Sequence, residues 1–434
     1  MTSQWTVRNV TCCGCGLVCD DVEVMTDGKS ISTVRNACVI GEQRFRIPGS
    51  RSRYLTPLIR NEKEEMNCVS LTEAFKKAVD ILLEADHPLL YGWSSTTCEA
   101  QRLGIELAKH VKGVIDGSSS TSYGQTLRAI SKRGLFTCTL GQVKNRANLI
   151  ILWGCNPLNS HPRLLSQCVA FPIGLFNQGR ADRKIIMIDV RENETSKLAD
   201  KLIKIKPSKD FELITALRLA LNNEKIPEAV AGIEAKEIYS LAEEMRKTPF
   251  GAIFFGTGLT TSGEGYLNVE NLLSLVRDLN ENTKFVTIEM RRHFNDVGFT
   301  TTLLRETGFP FGVDFSKGTP QCFLGQTTAT DVLARGRCDA ALVIASDPVS
   351  SLPWNAARHL TKIPLIVVDP HWTPTAESAA VVIPSAISGV EAEGTAYRMD
   401  GVPLHLKKVV DPPENCLPDE VILQHMLKEV KGRT

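Results

Sequence analysis

NLIILWGCNP (148–157) sets an unbroken apolar run against an abrupt Gly-Cys-Asn-Pro turn. A run with no polar alternation suits a strand covered on both faces, and the glycine marks where the chain leaves the sheet. The plan recurs in PLLYGW (88–93), GVID (113–116), KIIMIDVRENETSKLAD (184–200), GAIFFGTGLT (251–260), KFVTIEM (284–290), AALVIASDP (340–348) and PLIVVDPHWTPTAESAAVVIP (364–384). Between these runs lie amphipathic patterns, among them CEAQRLGIELAKHV (98–111), FELITALRLALN (211–222), IYSLAEEMRK (238–247) and LNVENLLSLVRDLN (267–280). Strand and helix in alternation predict an α/β fold of doubly wound parallel sheets. Two such units fit: residues 61–205 completed by 330–400, and an inserted unit over 206–329. Residues 401–434 are expected to be a C-terminal tail, and EAEGTAYRMDGVPLHLKKVV, from Glu391, an extended loop and hairpin.

Ahead of these units, residues 1–60 read as a small β-rich domain. Its strands alternate about a turn at Asp27-Gly28. The charged RNEKEEMN (60–67) reads as a linker. Ser70, with Glu73 three residues on, signals a helix start for SLTEAFKKAVDILLEA (70–85).

The small domain carries the densest chemistry. TCCGCGLVCDDVEV (11–24) places Cys12, Cys15 and Cys19 at C-x2-C-x3-C spacing, and NACVIGEQRF (36–45) adds Cys38. Three thiolates on a tight loop and a fourth from a later turn suit a [4Fe-4S] cluster. Gly14 and Gly16 would let the loop bend back on itself. A zinc ion held by the same sulfurs, or four buried cysteines with no metal, are the alternatives. Cys13 is spare. The chain has 13 cysteines in all. With no secretory pattern in MTSQWTVRNV, a reducing cytoplasm and metal binding are expected rather than disulfides. Cys68, Cys98, Cys138, Cys168, Cys322, Cys338 and Cys416 read as small core residues.

The balance of 50 Lys and Arg against 49 Asp and Glu, net +1, makes no electrostatic case for nucleic acid or an anionic membrane. No apolar run approaches the ~18 residues of a transmembrane helix.

Ligands of open α/β sheets sit beyond the carboxyl ends of the strands. Here those ends read YGWSST, WGCNPLNSHPR, DVRENET, FGTGLTTSGEG, MRRHF, ASDPVSS and DPHWTPT. Glycine allows close backbone approach and Ser, Thr and Asn supply donors, so the set suits a nucleotide-sized, phosphate-bearing ligand. Gly256-Thr257-Gly258 taken alone is equally a tight turn. Asp189 and Asp369 can hold a ribose or a guanine edge, or cap the next helix. His161, beside Arg163, is a surface histidine or a functional one. No hydrolase triad order, G-x-S-x-G elbow or H-E-x-x-H signature is present.

The cysteine pattern, the polar strand ends and EAEGTAYRMDGVP (391–403) together resemble the molybdopterin oxidoreductases. The likeness is greater to the B subunit of formylmethanofuran dehydrogenase, through CGLVCDD, YGWSSTTCEAQ, CTLGQVKNRANLIILWGCNP, HPR, DVRENETSKLAD, FFGTGLT, IASDP and HWTPT. That resemblance runs nearly end to end. It implies a [4Fe-4S] cluster on Cys12, Cys15, Cys19 and Cys38. It also implies pterin guanine dinucleotides around tungsten or molybdenum, held by Gly154, Asn156, Asp189, Arg191, Gly256, Gly258, Ser346, Asp347, Asp369, Glu393 and Gly394. Carbon dioxide would be reduced to formate, which a neighbouring amidohydrolase-like subunit condenses onto a furan carrier.

One departure stands out. In VIDGSSSTSYGQTL (114–127), Ser122 occupies the family's metal-binding cysteine or selenocysteine position and Tyr123 its histidine position. A hydroxyl is a harder and far weaker acid than a thiol. Arg291 of MRRHF matches the family's substrate arginine, and Arg292 replaces a glycine. This pattern is similar to the B subunit of the bacterial formyltransferase/hydrolase complex, a scaffold without redox chemistry. There an amidohydrolase-like A subunit, a C subunit and a formyltransferase-like D subunit move a formyl group from a pterin to a furan carrier and release formate. The β-barrel that completes the family's cofactor site would come from a separate chain, since about 30 residues follow the EGT segment. Three readings stand: that scaffold, an active dehydrogenase subunit with a serine-ligated metal, and a zinc-stapled nucleotide-binding module.

Overall fold

The computed structural model describes residues 4–433, except residue 51 and the side chains at 121 and 122. The chain forms two units: Met1–Thr121 with His293–Arg398 and Pro403–Thr434, and Ser122–Arg292 with Met399–Val402.

The first unit is built on an eight-stranded sheet in the order Val313–Asp314, Val114–Gly117, Leu89–Gly92, Ala341–Ile344, Leu365–Asp369, Val381–Pro384, Leu58–Arg60, Met66–Cys68. The five strands from Val114–Gly117 to Val381–Pro384 are parallel, and antiparallel strands close both edges. Successive side chains of a strand point to opposite faces. Thus Leu90, Ile115, Leu342 and Ile366 pack in one apolar layer with the helices Leu71–Glu84, Cys98–His110 and Asp419–Arg433. Leu89, Tyr91, Val343 and Val367 pack in the other with Ala329–Ala334 and Trp354–Leu360. The expected cap forms: Ser70 Oγ accepts the Glu73 N–H at 3.3 Å, and the Glu73 carboxylate accepts the Ser70 N–H at 2.9 Å.

The N-terminal part of this unit is a three-stranded antiparallel sheet, Trp5–Val10, Val22–Thr26 and Ile31–Arg35. Asp27 makes its turn by accepting the N–H groups of Lys29 and Ser30, and Gly28 takes φ +87°.

The second unit carries a five-stranded, all-parallel sheet in the order Lys201–Lys204, Lys184–Asp189, Leu149–Trp153, Gly251–Phe255, Phe285–Glu289. Among the described residues no helix is long and apolar enough to cross a membrane.

Doubly wound α/β units and the small N-terminal sheet are thus observed, but the expected division is not. The strands at 149–153, 184–189 and 201–204 pair with 251–255 and 285–289, not with the sheet holding 89–92. Residues 293–329 return to the first unit. Apolar runs announce buried parallel strands but not their neighbours, because every such run is alike. The charged stretch 60–67 is the turn of an edge hairpin, with Arg60 paired to Met66. The supposed C-terminal tail includes the Asp419–Arg433 helix, whose Ile422, Leu423, Met426, Leu427 and Val430 are buried in the first unit's core. The hairpin after Glu391 forms as expected, Gly394–Tyr397 against Pro403–Leu406.

Candidate functional site

In the first unit, the cysteine loop closes on itself through the Cys12 N–H to the Cys19 carbonyl at 2.7 Å and the Val18 N–H to the Cys15 carbonyl at 3.1 Å. Cys12, Cys15 and Cys19 are buried, and Cys38 is half-buried at the N-cap of the Val39–Arg46 helix. Gly41, one turn into that helix, was missed in the sequence: a Cβ there would lie 2.8 Å from Cys12 Sγ. Spare Cys13 is also buried, against Gly389. Burial raises the Cys12 thiol well above its ordinary range, and Cys13, Cys19 and Cys15 add to the shift. Burial likewise pushes Cys15 up to about 11, with Cys38 contributing. Buried beside one another, these thiols stay protonated on their own, and only a bound cation would favour their thiolate forms. Among the described residues no three His, Cys, Asp or Glu side chains converge on a single-ion site. A cubic cluster spreads its thiolates over separate corners. Four thiols, three on one loop and the fourth at the start of the following helix, are the donor type that a [4Fe-4S] cluster takes.

The second unit's strand order reverses between Leu149–Trp153 and Gly251–Phe255, which defines a switch-point crevice. There Gly154, at φ +55°, meets the Gly256-Thr257-Gly258 turn backbone to backbone. The Gly258 N–H donates to the Gly154 carbonyl at 3.0 Å. A Cβ on Gly154, Gly256 or Gly258 would lie within 2.9 Å of the facing strand end. These glycines interlock two strand ends and leave Thr257 and Gly258 exposed. Asn156 is held by the Thr195 hydroxyl at 2.6 Å and by Glu194 at 2.9 Å. Asp189 accepts the Val190 N–H at 2.7 Å and folds its own loop, with Arg191 exposed beside it.

Also in this unit, the buried Arg291 lays its guanidinium 3.0 Å from the centroid of the Tyr123 ring, with Glu289 3.5 Å away. His161 is a buried residue, not a surface one. Its Nε2 lies 2.7 Å from the Arg291 carbonyl, which can only accept, so Nε2 carries the proton. Burial lowers its pKa and keeps the ring neutral. Ser122 lies in the Ser120–Arg133 helix, but its side chain falls outside the described residues.

In the first unit the reversal falls between Leu89–Gly92 and Ala341–Ile344. Three residues with positive φ gather there: Gly92 at +123°, and the strained Trp93 at +72° and Ala345 at +46°. A fully buried tryptophan in the left-handed region is an outlier, and Gln101 fixes it by donating to its carbonyl at 2.8 Å. Ser346 and Asp347 follow, and Asp347 accepts the Thr375 N–H at 3.1 Å. Glu393 is exposed, while Gly394 fits against Thr97 and Glu99, whose carboxylate accepts the Thr395 N–H.

Asp369 is buried at its strand end and accepts the His371 N–H at 2.8 Å. Burial pushes it up to about 7, against that bond and the nearby Arg44 charge. Asp419, which accepts from Thr96 Oγ1 at 2.5 Å, is pushed up to about 6 by burial. Burial, with Arg44 and Arg53 nearby, holds His371 down to about 4. A carboxyl with a folded pKa above its unfolded one stabilises the fold below the unfolded value, and that stability is lost as pH rises through the folded value. Asp369's own contribution should therefore decline between about pH 4 and 7, while His371, held neutral, contributes a rise over the same window. Asp369→Asn, which keeps the acceptor, should flatten that decline and gain at least ~1 kcal/mol over wild type at pH 8 in urea unfolding.

A switch point of interlocked glycines in one unit, a second switch point in the other, and a three-cysteine loop with Cys38 on the following helix accord with a molybdopterin-oxidoreductase architecture. The family model for molybdopterin oxidoreductases matches residues 53–429, and the chain belongs to that family. Within it, the chain is 46% identical over 428 residues to the B subunit of tungsten-containing formylmethanofuran dehydrogenase 2 from Methanocaldococcus jannaschii, covering 98% of each chain. It is 41% identical to the protein of the same description from Methanococcus maripaludis, again over 98% of each. A crystal structure of the formyltransferase/hydrolase complex from Methylorubrum extorquens with methylofuran shares the fold. It has TM-score 0.71 at 22% identity and covers 87% of this chain and 100% of that one.

Proposed function

We propose that this chain is the B subunit of a formylmethanofuran-dehydrogenase-type complex of one-carbon metabolism. The 46% identity to one such protein, end to end, carries the reading, and the grouped cysteines support it. Cys12, Cys15, Cys19 and Cys38 would hold a [4Fe-4S] cluster that passes electrons. In the second unit Gly154, Asn156, Asp189, Arg191, Gly256 and Gly258 would hold one pterin dinucleotide. In the first, Ser346, Asp347, Asp369, Glu393 and Gly394 would hold another. The pterin metal, tungsten or molybdenum, supplies the redox chemistry between carbon dioxide and the formyl level. This chain's part is to bind and orient the cofactor, with Arg291 as the cation for a carboxylate-like substrate.

A second reading is favoured by Ser122 and Tyr123 and by the Arg291 guanidinium, which already lies on the Tyr123 ring. In it the chain is the framework of a formyltransferase/hydrolase-type complex, with amidohydrolase-like A, C and formyltransferase-like D partners. Metal and pterin analysis of the complex purified from its own cells decides. Iron with stoichiometric tungsten or molybdenum supports the first reading. Partners present without tungsten, molybdenum or pterin support the second. A lone chain with zinc overturns both and leaves the zinc-stapled nucleotide module. On either cluster-bearing outcome, Cys15→Ser is expected to abolish the visible iron–sulfur absorption and the reduced-state EPR signal.

A further inference from the structure

In the second unit the segment FPIGLF (171–176) turns four large apolar side chains outward: Phe171 is 49% exposed, Ile173 68%, Leu175 79% and Phe176 64%. This segment is firmly held. Buried Arg183 donates to the carbonyls of Ala170 at 3.1 Å, Pro172 at 2.7 Å, Ala147 at 3.3 Å and Lys144, and to Asn177 Oδ1 at 2.7 Å. Asn145 takes the N–H of Phe176 on its carbonyl at 3.1 Å and that of Leu175 on its side chain at 3.2 Å. Gly174 is pinned so closely that a Cβ would lie 2.3 Å from the Lys144 carbonyl. Burying a guanidinium costs several kcal/mol unless its hydrogen bonds are made. Here one is used to fix the shape of an apolar loop, so the loop loses little conformational freedom on binding.

Resting on the complex-subunit reading above, we propose that residues 171–176 are a docking knob for a neighbouring subunit, received in an apolar groove rimmed by carboxylates. The charge of the partner follows from Arg146, whose guanidinium lies 4.6 Å over the Phe176 ring and makes no ion pair among the described residues. A second copy of this chain is disfavoured, because a twofold contact brings the same patch to itself and so sets Arg146 near its twin. Two phenylalanines and a leucine beside an arginine make the apolar, cation-flanked centre found at binding hot spots.

The test is assembly of the complex from its co-expressed subunits. Leu175→Asp/Phe176→Asp should weaken association of the chain by about 30-fold or more. Its unfolding midpoint should not move, because both side chains already face water. Arg146→Glu should weaken association about tenfold and more so at low salt. Backbone amides of 170–178 should exchange more slowly in the complex than in the isolated chain. A wild-type chain that purifies without partners overturns the complex-subunit reading and the knob with it. Normal assembly of the double variant, with 170–178 unprotected, overturns the knob alone. So does a homodimer that the double variant splits, or binding of the isolated chain to phosphatidylglycerol vesicles that the variant abolishes.

Discussion

Glu391→Gln is expected to destabilise the first unit by about 3–5 kcal/mol, read as a lower urea midpoint. Arg53 and Glu391 form a two-pronged ion pair whose side chains are 2% and 1% exposed. The Glu391 carboxylate also accepts the Ile387 N–H at 3.0 Å. Neutralising the acid leaves a buried guanidinium without a counter-charge, and that orphaned charge, not the loss of attraction, dominates the cost. The paired change Arg53→Met/Glu391→Gln removes it and keeps an acceptor for Ile387, so it should recover most of the loss. The double variant staying as unstable as Glu391→Gln would show that shape at this site matters more than charge. Salt should barely alter either result, because the pair is shielded from solvent ions.

Gly92→Ala should be comparably severe, about 3–5 kcal/mol, from left-handed backbone strain plus overpacking. At φ +123° a side chain is disfavoured whatever the space, and here its Cβ would lie 2.0 Å from the Ile344 carbonyl oxygen of the neighbouring strand. Ile344 cannot simply retreat, since its carbonyl receives the Trp93 N–H at 3.4 Å and its side chain is buried in the core. Gly308→Ala is the control. It shares a positive φ, +81°, but has nothing within 4 Å of its Cβ, and should lose only about 1 kcal/mol. Equal losses at the two positions in thermal or urea unfolding would refute the steric argument.

Much of the architecture was legible because buried parallel strands are spelled as unbroken apolar runs. The Ser70–Glu73 cap and the Asp27-Gly28 turn were legible because both are local, set within three residues. Which strands share a sheet was not legible: the choice between Leu89 and Gly251 as neighbour for a strand is made by packing, not by periodicity. For the same reason nothing in the sequence marks Arg53 and Glu391, 338 residues apart, as partners. The glycines at 154, 256 and 258 were noticed as room for a ligand. In the fold they first make room for one another.

The first unit is assembled from three separate stretches of chain, whereas all but four residues of the second are contiguous. On a ribosome the two therefore mature on different schedules. The contiguous unit can begin to fold once residue 292 has emerged. The Leu89–Gly92 strand must wait for Ala341–Ile344 before it gains that parallel neighbour. Until then the Leu71–Glu84 and Cys98–His110 helices also lack the Asp419–Arg433 helix that covers them. During that interval a nascent first unit exposes apolar surface and an unpaired strand edge, the features that draw chaperones or lead to aggregation. Translation rate, rather than equilibrium stability, would then limit how much of the chain reaches its finished form.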